Sequence, residues 1–366
     1  MPILPLYLAN VLGLGKAFIG ATEGVVVAGS SIFKVVAGFL VDRFGRKKPF
    51  IFLGYFLSMI ARPVLALTTS AAAVLGLRFL DGVGKGMKDS PKDALIADST
   101  IEATRGRGFG IARALDTYGS VAGPLILFGL LWLLRSHGNK YHIILFLTAL
   151  PLIVTLFILK RRVVETTPTS APKTKISIRL PKHFYLFLSI ALLFSLGNST
   201  DAFLILRAQN IGVSLLAIPI VYALFNAVYA SASVPLGSLS DRIGREKVIL
   251  IGWLAYAMAY LGFALARSPL HIWLLFGFYG LYYATTEGVA KAYVADMVPP
   301  DHRGRAYGIY NTALGLTALP ASFVAGLMWD RISPAAPFYF GAVMAVAAAI
   351  GLLVFSLRRR AVVLSL

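Results

Sequence analysis

Long apolar runs alternate with short polar breaks from one end of this chain to the other. "FIFLGYFLSMIARPVLALT" from Phe50, "ILFLTALPLIVTLFIL" from Ile144 and "FGAVMAVAAAIGLLVFSL" from Phe340 are the clearest runs. Their lengths approach the roughly 20 residues that a helix needs to cross a bilayer. Reading each run as one helix predicts spans over 1–13, 17–40, 49–68, 71–96, 107–133 and 142–159. A second set follows over 183–207, 214–236, 247–266, 270–295, 305–328 and 336–357. The pattern is that of an all-α polytopic membrane protein.

The two sets are copies. "GFLVDRFGRKK" from Gly38 returns as "GSLSDRIGREK" from Gly237, and "IADSTIEATRGRGFG" from Ile96 returns as "VADMVPPDHRGRAYG" from Val294. The offsets are 237 − 38 = 199 and 294 − 96 = 198, in the same order, which marks an internal duplication. The expected organisation is a six-helix bundle over 1–159, a polar basic linker over 160–182 and a second six-helix bundle over 183–366. The linker is rich in Pro, Thr and Ser and is expected to be a flexible connector. In this register Gly13 stands opposite Gly212, so Met1 falls opposite Thr200 inside the seventh span. The first of the 12 spans is therefore expected to be truncated. "MPILPLYLANVLG" has neither the basic start nor the cleavage site of a signal peptide.

Composition agrees and charge adds orientation. Of the 366 residues 58% are hydrophobic and 14% charged, and the mean hydropathy is +0.76. The net charge of +19 gathers in short clusters after every second span: Arg43 to Lys48, Lys160 to Arg162, Arg242 to Lys247 and Arg358 to Arg360. That places one face of the protein in the cytoplasm, with no call for nucleic acid. The expected setting is a multi-pass protein of the plasma (inner) membrane, acting as a monomer, its termini cytoplasmic in a full-length chain. Cysteine is absent, so disulfides and thiol sites are excluded.

The duplicated segments resemble the major facilitator superfamily. "GFLVDRFGRKK" is similar to that family's signature between helices 2 and 3, and "GSLSDRIGREK" to its weaker copy between helices 8 and 9. "RFLDGVG" from Arg78 resembles the fourth-helix pattern, and "GSVAGP" from Gly119 the start of a fifth-helix pattern of proton-driven exporters, with Leu127 and Phe128 in place of its trailing glycines. The resemblance implies two pseudo-symmetric bundles that rock about a central cavity lined by helices 1, 4, 7 and 10. It further implies a cytoplasmic gate: Gly38, Asp42, Arg43, Gly45 and Arg46 with Asp98, and in the second copy Gly237, Asp241, Arg242, Gly244 and Arg245 with Asp296.

Candidate chemistry concentrates in "DGVGKGMKDSPKDALIAD", Asp81 to Asp98. It fails the G-x-x-x-x-G-K-[ST] pattern of a phosphate loop, since position 79 is Phe and position 86 is Gly. Wound as a helix, Arg78, Asp81, Lys85, Lys88, Asp89, Lys92 and Asp93 fall within an arc of about 140°. Asp81–Lys85 and Lys85–Asp89 stand at the i,i+4 pairing distance. Charges at membrane depth are costly and should face water and one another. The repeat sets Tyr279, Tyr283, Glu287 and Lys291 opposite Asp81, Lys85, Asp89 and Asp93, with Tyr282 alongside, giving a tyrosine wall suited to an amphipathic ligand. Glu23, Lys34, Asp116, Asn198 and Asp201 are further polar groups within spans; Asn226 and Asn311 fit ordinary interhelical hydrogen bonding. All five histidines lie in loops or near helix ends, so Asp89, Glu287, Asp116 and Glu23 are the candidate proton carriers, in that order.

These readings predict a secondary active transporter of a small organic solute, proton-coupled, with export by antiport ahead. Uptake of an anionic metabolite by symport or uniport, or a non-transporting membrane protein, are the alternatives. No catalytic grouping, metal-ligand spacing or cofactor motif is present, so no enzyme, metal or cofactor is expected.

Overall fold

The structure, a computed structural model, describes residues 3–99, 105–165, 180–298 and 303–364. Among the described residues the chain is helical, with no strand. In the first half run α1 (Ile3–Asn10), α2 (Lys16–Phe44), α3 (Lys48–Leu67), α4 (Ala71–Asp98), α5 (Arg105–Leu133), α6 (Lys140–Leu147) and α7 (Ala149–Arg162). The second half has α8 (Lys182–Gly197), α9 (Ala202–Asn210), α10 (Ala217–Ile243), α11 (Arg245–Leu265), α12 (Pro269–Asp296), α13 (Arg303–Arg331) and α14 (Ala336–Leu364). A helix satisfies its backbone polar groups within its own segment, which hydrocarbon surroundings require. Nine segments among the described residues are long and apolar enough to cross a membrane. The two 28-residue helices α4 and α12 fall outside that set: α4 is diluted by its charges, and α12 by tyrosines, threonines and glycines.

The duplication is visible in the backbone. Both ends of α4 and α12 are 198 residues apart, as are those of α5 and α13. Four glycines adopt positive φ among the described residues, and they form two repeat pairs. Gly13 (63°) matches Gly212 (94°), and Gly45 (65°) matches Gly244 (97°). Side-chain-bearing residues rarely enter this region, so glycine stops the helix in both copies.

Three expectations are corrected. Helices α2 and α10 run to Phe44 and Ile243, past the expected ends at 40 and 236, so Asp42, Arg43, Asp241 and Arg242 ride on final helical turns rather than in loops. The sixth span is two helices meeting at Thr148, because Pro151 has no N–H to give the carbonyl of Leu147, where α6 ends. The seventh span breaks over Asn198–Asp201. There Thr200 accepts from the Ala202 N–H (3.3 Å), and Tyr256 donates to the carbonyl of Gly197 (2.9 Å). Short polar side chains and a recruited tyrosine thus take over helix hydrogen bonds.

The chain forms two compact units, one comprising Met1–Ala21, Ser120–Phe128 and Ile178–Leu366, the other Thr22–Gly119 and Gly129–Ser177. In the first, the repeat counterparts α1 and α9 pack on each other. The start of α2 lies against α13 there: Asp330 accepts from the backbone N–H groups of Lys16 (3.1 Å) and Ala17 (2.8 Å). In the second unit α3 and α4 cross closely, since a Cβ on Gly54 would stand 2.5 Å from the Gly84 carbonyl oxygen. Glu165 caps α3, accepting from Lys47 N–H (2.8 Å) and Lys48 N–H (3.0 Å). The linker is therefore tied down over its first residues, and 166–179 lie outside the described residues.

Candidate functional site

Each unit carries its own polar constellation. In the second unit it follows one face of α4. Arg78, its side chain 8% exposed, lies between Glu23 of α2 (2.7 Å) and Asp81 (3.3 Å). Asp81, 5% exposed, also faces Lys85 at 3.8 Å and Arg62 of α3 at 3.8 Å. Further along, Asp89 pairs with Lys34 of α2 (3.2 Å) and with Lys88 (3.6 Å), whose ammonium lies 4.7 Å from the centre of the Tyr55 ring. Lys92 reaches Asp116 of α5 at 3.7 Å. Asp89 is thus held by a neighbouring helix, where spacing alone offered Lys85. The ladder joins α4 to α2, α3 and α5.

Arg62 was missed by the sequence reading. It sits inside an apolar run, just before Pro63, and an arginine at that depth was the available signal. Its partner lies 19 residues on in another helix, which spacing within one helix cannot reveal.

In the first unit the constellation gathers at the α8/α9 break. Asp201 accepts from Tyr279 (3.1 Å) and Tyr283 (3.3 Å) of α12. Asn198 donates to Tyr282 (3.2 Å), which is buried, as is Tyr279. One turn beyond Tyr283, Glu287 accepts from Tyr229 of α10 and pairs with Lys291 (3.7 Å). Tyr229, Tyr283 and Asp201 are half-buried. Asn226 donates to the carbonyl of Tyr222, four residues back in its own helix.

At the far end of the same unit Arg245 binds Asp241 (2.6 Å) and Asp296 (3.4 Å) and donates to Ser240 (2.6 Å). Its neighbour Glu246, an acidic residue inside the basic cluster, accepts from Tyr293 of α12 and Ser356 of α14. Gly244 supplies the positive φ, while Gly237 faces open space. In the first copy Gly38 faces Ser90 of α4, and Arg43 and Arg46 are exposed. The side chains of Asp42 and Asp98 lie outside the described residues, so their cluster with Arg46 does too.

The sequence model of the Major Facilitator Superfamily matches residues 1–206 and 186–364. The chain belongs to the major facilitator superfamily. An MFS-type transporter of Methanocaldococcus jannaschii, itself uncharacterised, is 37% identical over 94% of this chain and 87% of its own length. A multi-drug resistance efflux pump of Streptococcus pneumoniae, PmrA, is 27% identical over 82% of this chain and 77% of its own. The solved nucleoside transporter NupG shares the fold, with a TM-score of 0.75 over 97% of this chain and 94% of that one at 15% identity. The protein is thus a membrane transporter of the major facilitator superfamily, a class that handles small molecules.

Proposed function

We propose that this transporter expels a small organic solute across the plasma membrane in exchange for protons, by alternating access of two six-helix bundles, with Arg245, Asp241 and Asp296 acting as a cytoplasmic latch. The observation that carries the reading is the ladder on α4. Glu23 and Asp89 each hold a cation across a helix boundary, Arg78 of α4 and Lys34 of α2 respectively. A proton on either carboxylate cancels the charge that holds the pair, so proton uptake loosens α4 from α2. The similarity to an efflux pump supports export. A second reading, uptake of an anion, is supported by four cations (Arg78, Lys85, Lys88, Lys92) against three anions (Asp81, Asp89, Asp93) on one helix face.

The test is reconstitution of the full chain in liposomes carrying a pH-sensitive dye, challenged with organic cations and organic anions. Solute and proton should move in opposite directions, and Asp89→Asn should abolish the proton movement. Transport indifferent to the pH gradient overturns proton coupling. Protons moving with an anionic solute overturn antiport in favour of uptake.

A further inference from the structure

We infer that Ser322 of α13 ties the outer contact between α2 and α13 to the break in the seventh span, so that parting of this contact and rearrangement of the break are one event. The inference rests on the alternating-access reading, which requires the duplicated halves to part on each face in turn.

The contact comes first. α2 ends in the Arg43 cluster that marks the cytoplasm, so its start at Lys16 lies at the outer face. There a helix of the first half meets a helix of the second half almost backbone to backbone. A Cβ on Gly326 would collide with the Cα of Ala17, and one on Gly20 with the carbonyl oxygen of Ser322. At the rim Asp330 accepts from the N–H groups of Lys16 and Ala17, at 3.1 Å and 2.8 Å. A carboxylate on a helix N-terminus gains from the helix dipole as well as from the two bonds. Asp330 is exposed, so water competes for those bonds and the clasp can open.

Ser322, 2% exposed, belongs to that contact and to the break at once. Its hydroxyl oxygen accepts from the Thr200 N–H at 3.2 Å. In an unbroken helix this N–H would bond to the carbonyl of Leu196, so α13 supplies an acceptor that the seventh span has given up. Phe203, on the first turn of α9, closes the same junction. A Cβ on Gly20 would stand 3.0 Å from its ring, and its centroid lies 6.0 Å from that of Trp329. Thr200 adjoins Asp201, which accepts from Tyr279 (3.1 Å) and Tyr283 (3.3 Å), so a shift of Thr200 passes directly to that set.

The junction is not a relic of the duplication. At the offset of 198 that relates α13 to α5, Ser322, Gly326 and Asp330 correspond to Pro124, Phe128 and Trp132. At the offset of 199 that relates Gly45 to Gly244, Gly20 corresponds to Pro219. The counterpart positions carry no hydroxyl, no glycine and no carboxylate. A fold built twice thus needs these residues only once, which assigns them to this contact and not to the bundle as such.

The test uses the full-length chain, which has no cysteine, so labels attach only where one is introduced. Spin labels at Lys16→Cys and Ile332→Cys report the distance across the outer contact by pulsed electron resonance. Amide exchange of residues 198–203, read by mass spectrometry, reports the break. Asp330→Asn should raise the long-distance population about fivefold, the scale of one hydrogen bond, and speed exchange in the segment. In Ser322→Ala the segment should already exchange about fivefold faster than in the parent, and adding Asp330→Asn should leave it unchanged. Ser322→Thr, which keeps the hydroxyl, should retain the parent's slow exchange. If Asp330→Asn does not lengthen the distance, Gly326→Leu replaces it as a wedge, with the same response expected at the break. An outer contact that opens without faster exchange at the break overturns the inference. So does a break that responds equally in the Ser322→Ala background, or an outer distance that neither variant lengthens. Neither readout uses a solute or a pH gradient, so failure of proton exchange in liposomes refutes the export reading and leaves this coupling standing.

Discussion

The salt bridge between Arg78 and Glu23 gives the sharpest test of how α4 is held. Arg78→Met keeps much of the side-chain volume and removes the charge. Glu23 then loses a partner at 2.7 Å, while Asp81 loses one of three and keeps Lys85 and Arg62, each at 3.8 Å. Breaking a buried pair from one side costs about 3–5 kcal/mol, because the remaining charge is stranded. With Asp81 still served, the lower end applies, about 3 kcal/mol. Glu23→Gln leaves Arg78 with Asp81 and a neutral acceptor, so its loss should be about 1.5 kcal/mol, the scale of one charge-assisted hydrogen bond. The double variant strands neither charge, so its loss should fall short of the sum by about 1.5 kcal/mol. Unfolding in mixed micelles by detergent titration, followed by the fluorescence of the four tryptophans, measures all three variants. Losses that add to within about 0.5 kcal/mol would refute direct coupling of the two residues.

Other tests address the joints around this helix. Gly54→Val puts a side chain 2.5 Å from the Gly84 carbonyl oxygen and should cost about 1–3 kcal/mol by overpacking, read as a lowered melting temperature. Asp330→Asn weakens the carboxylate cap on the first N–H groups of α2 and should lower stability by about 1 kcal/mol in the same assay. Glu165→Ala releases the start of the linker from α3, so trypsin should cut after Arg161 and Arg162 faster than in the parent; an unchanged cleavage rate would mean that the cap does not restrain it.

Much of the fold was legible because the duplication is written in local signals. Helix ends are set by residues within a turn of them, so the repeat offset carried through to α4 and α12, and to Gly45 and Gly244. The ionic face of α4 was legible for the same reason: angular position within one helix is arithmetic. What stayed hidden depended on partners distant in sequence. Asp89 is 55 residues from Lys34, Asp81 is 19 from Arg62, and Asp201 is 82 from Tyr283. The break at Asn198–Asp201 was hidden by the apolar residues on both sides, which keep the window apolar, although four consecutive small polar residues were there to be seen. Glu165 falls in the expected linker and Glu246 between two expected spans, yet each accepts two hydrogen bonds that join segments.

The composition of α4 also bears on how the protein is made. A helix leaving the translocon is judged by its own partition into lipid, where each Asp, Lys or Arg near the centre costs about 2.5–3.5 kcal/mol and each large aliphatic residue returns about 0.3–0.6 kcal/mol. Arg78, Asp81 and Lys85 alone outweigh the aliphatic residues of the helix on that scale, so α4 does not enter the bilayer as a lone segment. Arg78, Asp89 and Asp81 find partners in Glu23, Lys34 and Arg62 on helices synthesised before it, and its glycines pack on the same two helices, Gly82 and Gly86 on α2 and Gly84 on α3. Insertion of α4 therefore waits on α2 and α3 already being in place. The order of synthesis, and not only the final free energy, becomes a requirement for this helix to reach the membrane.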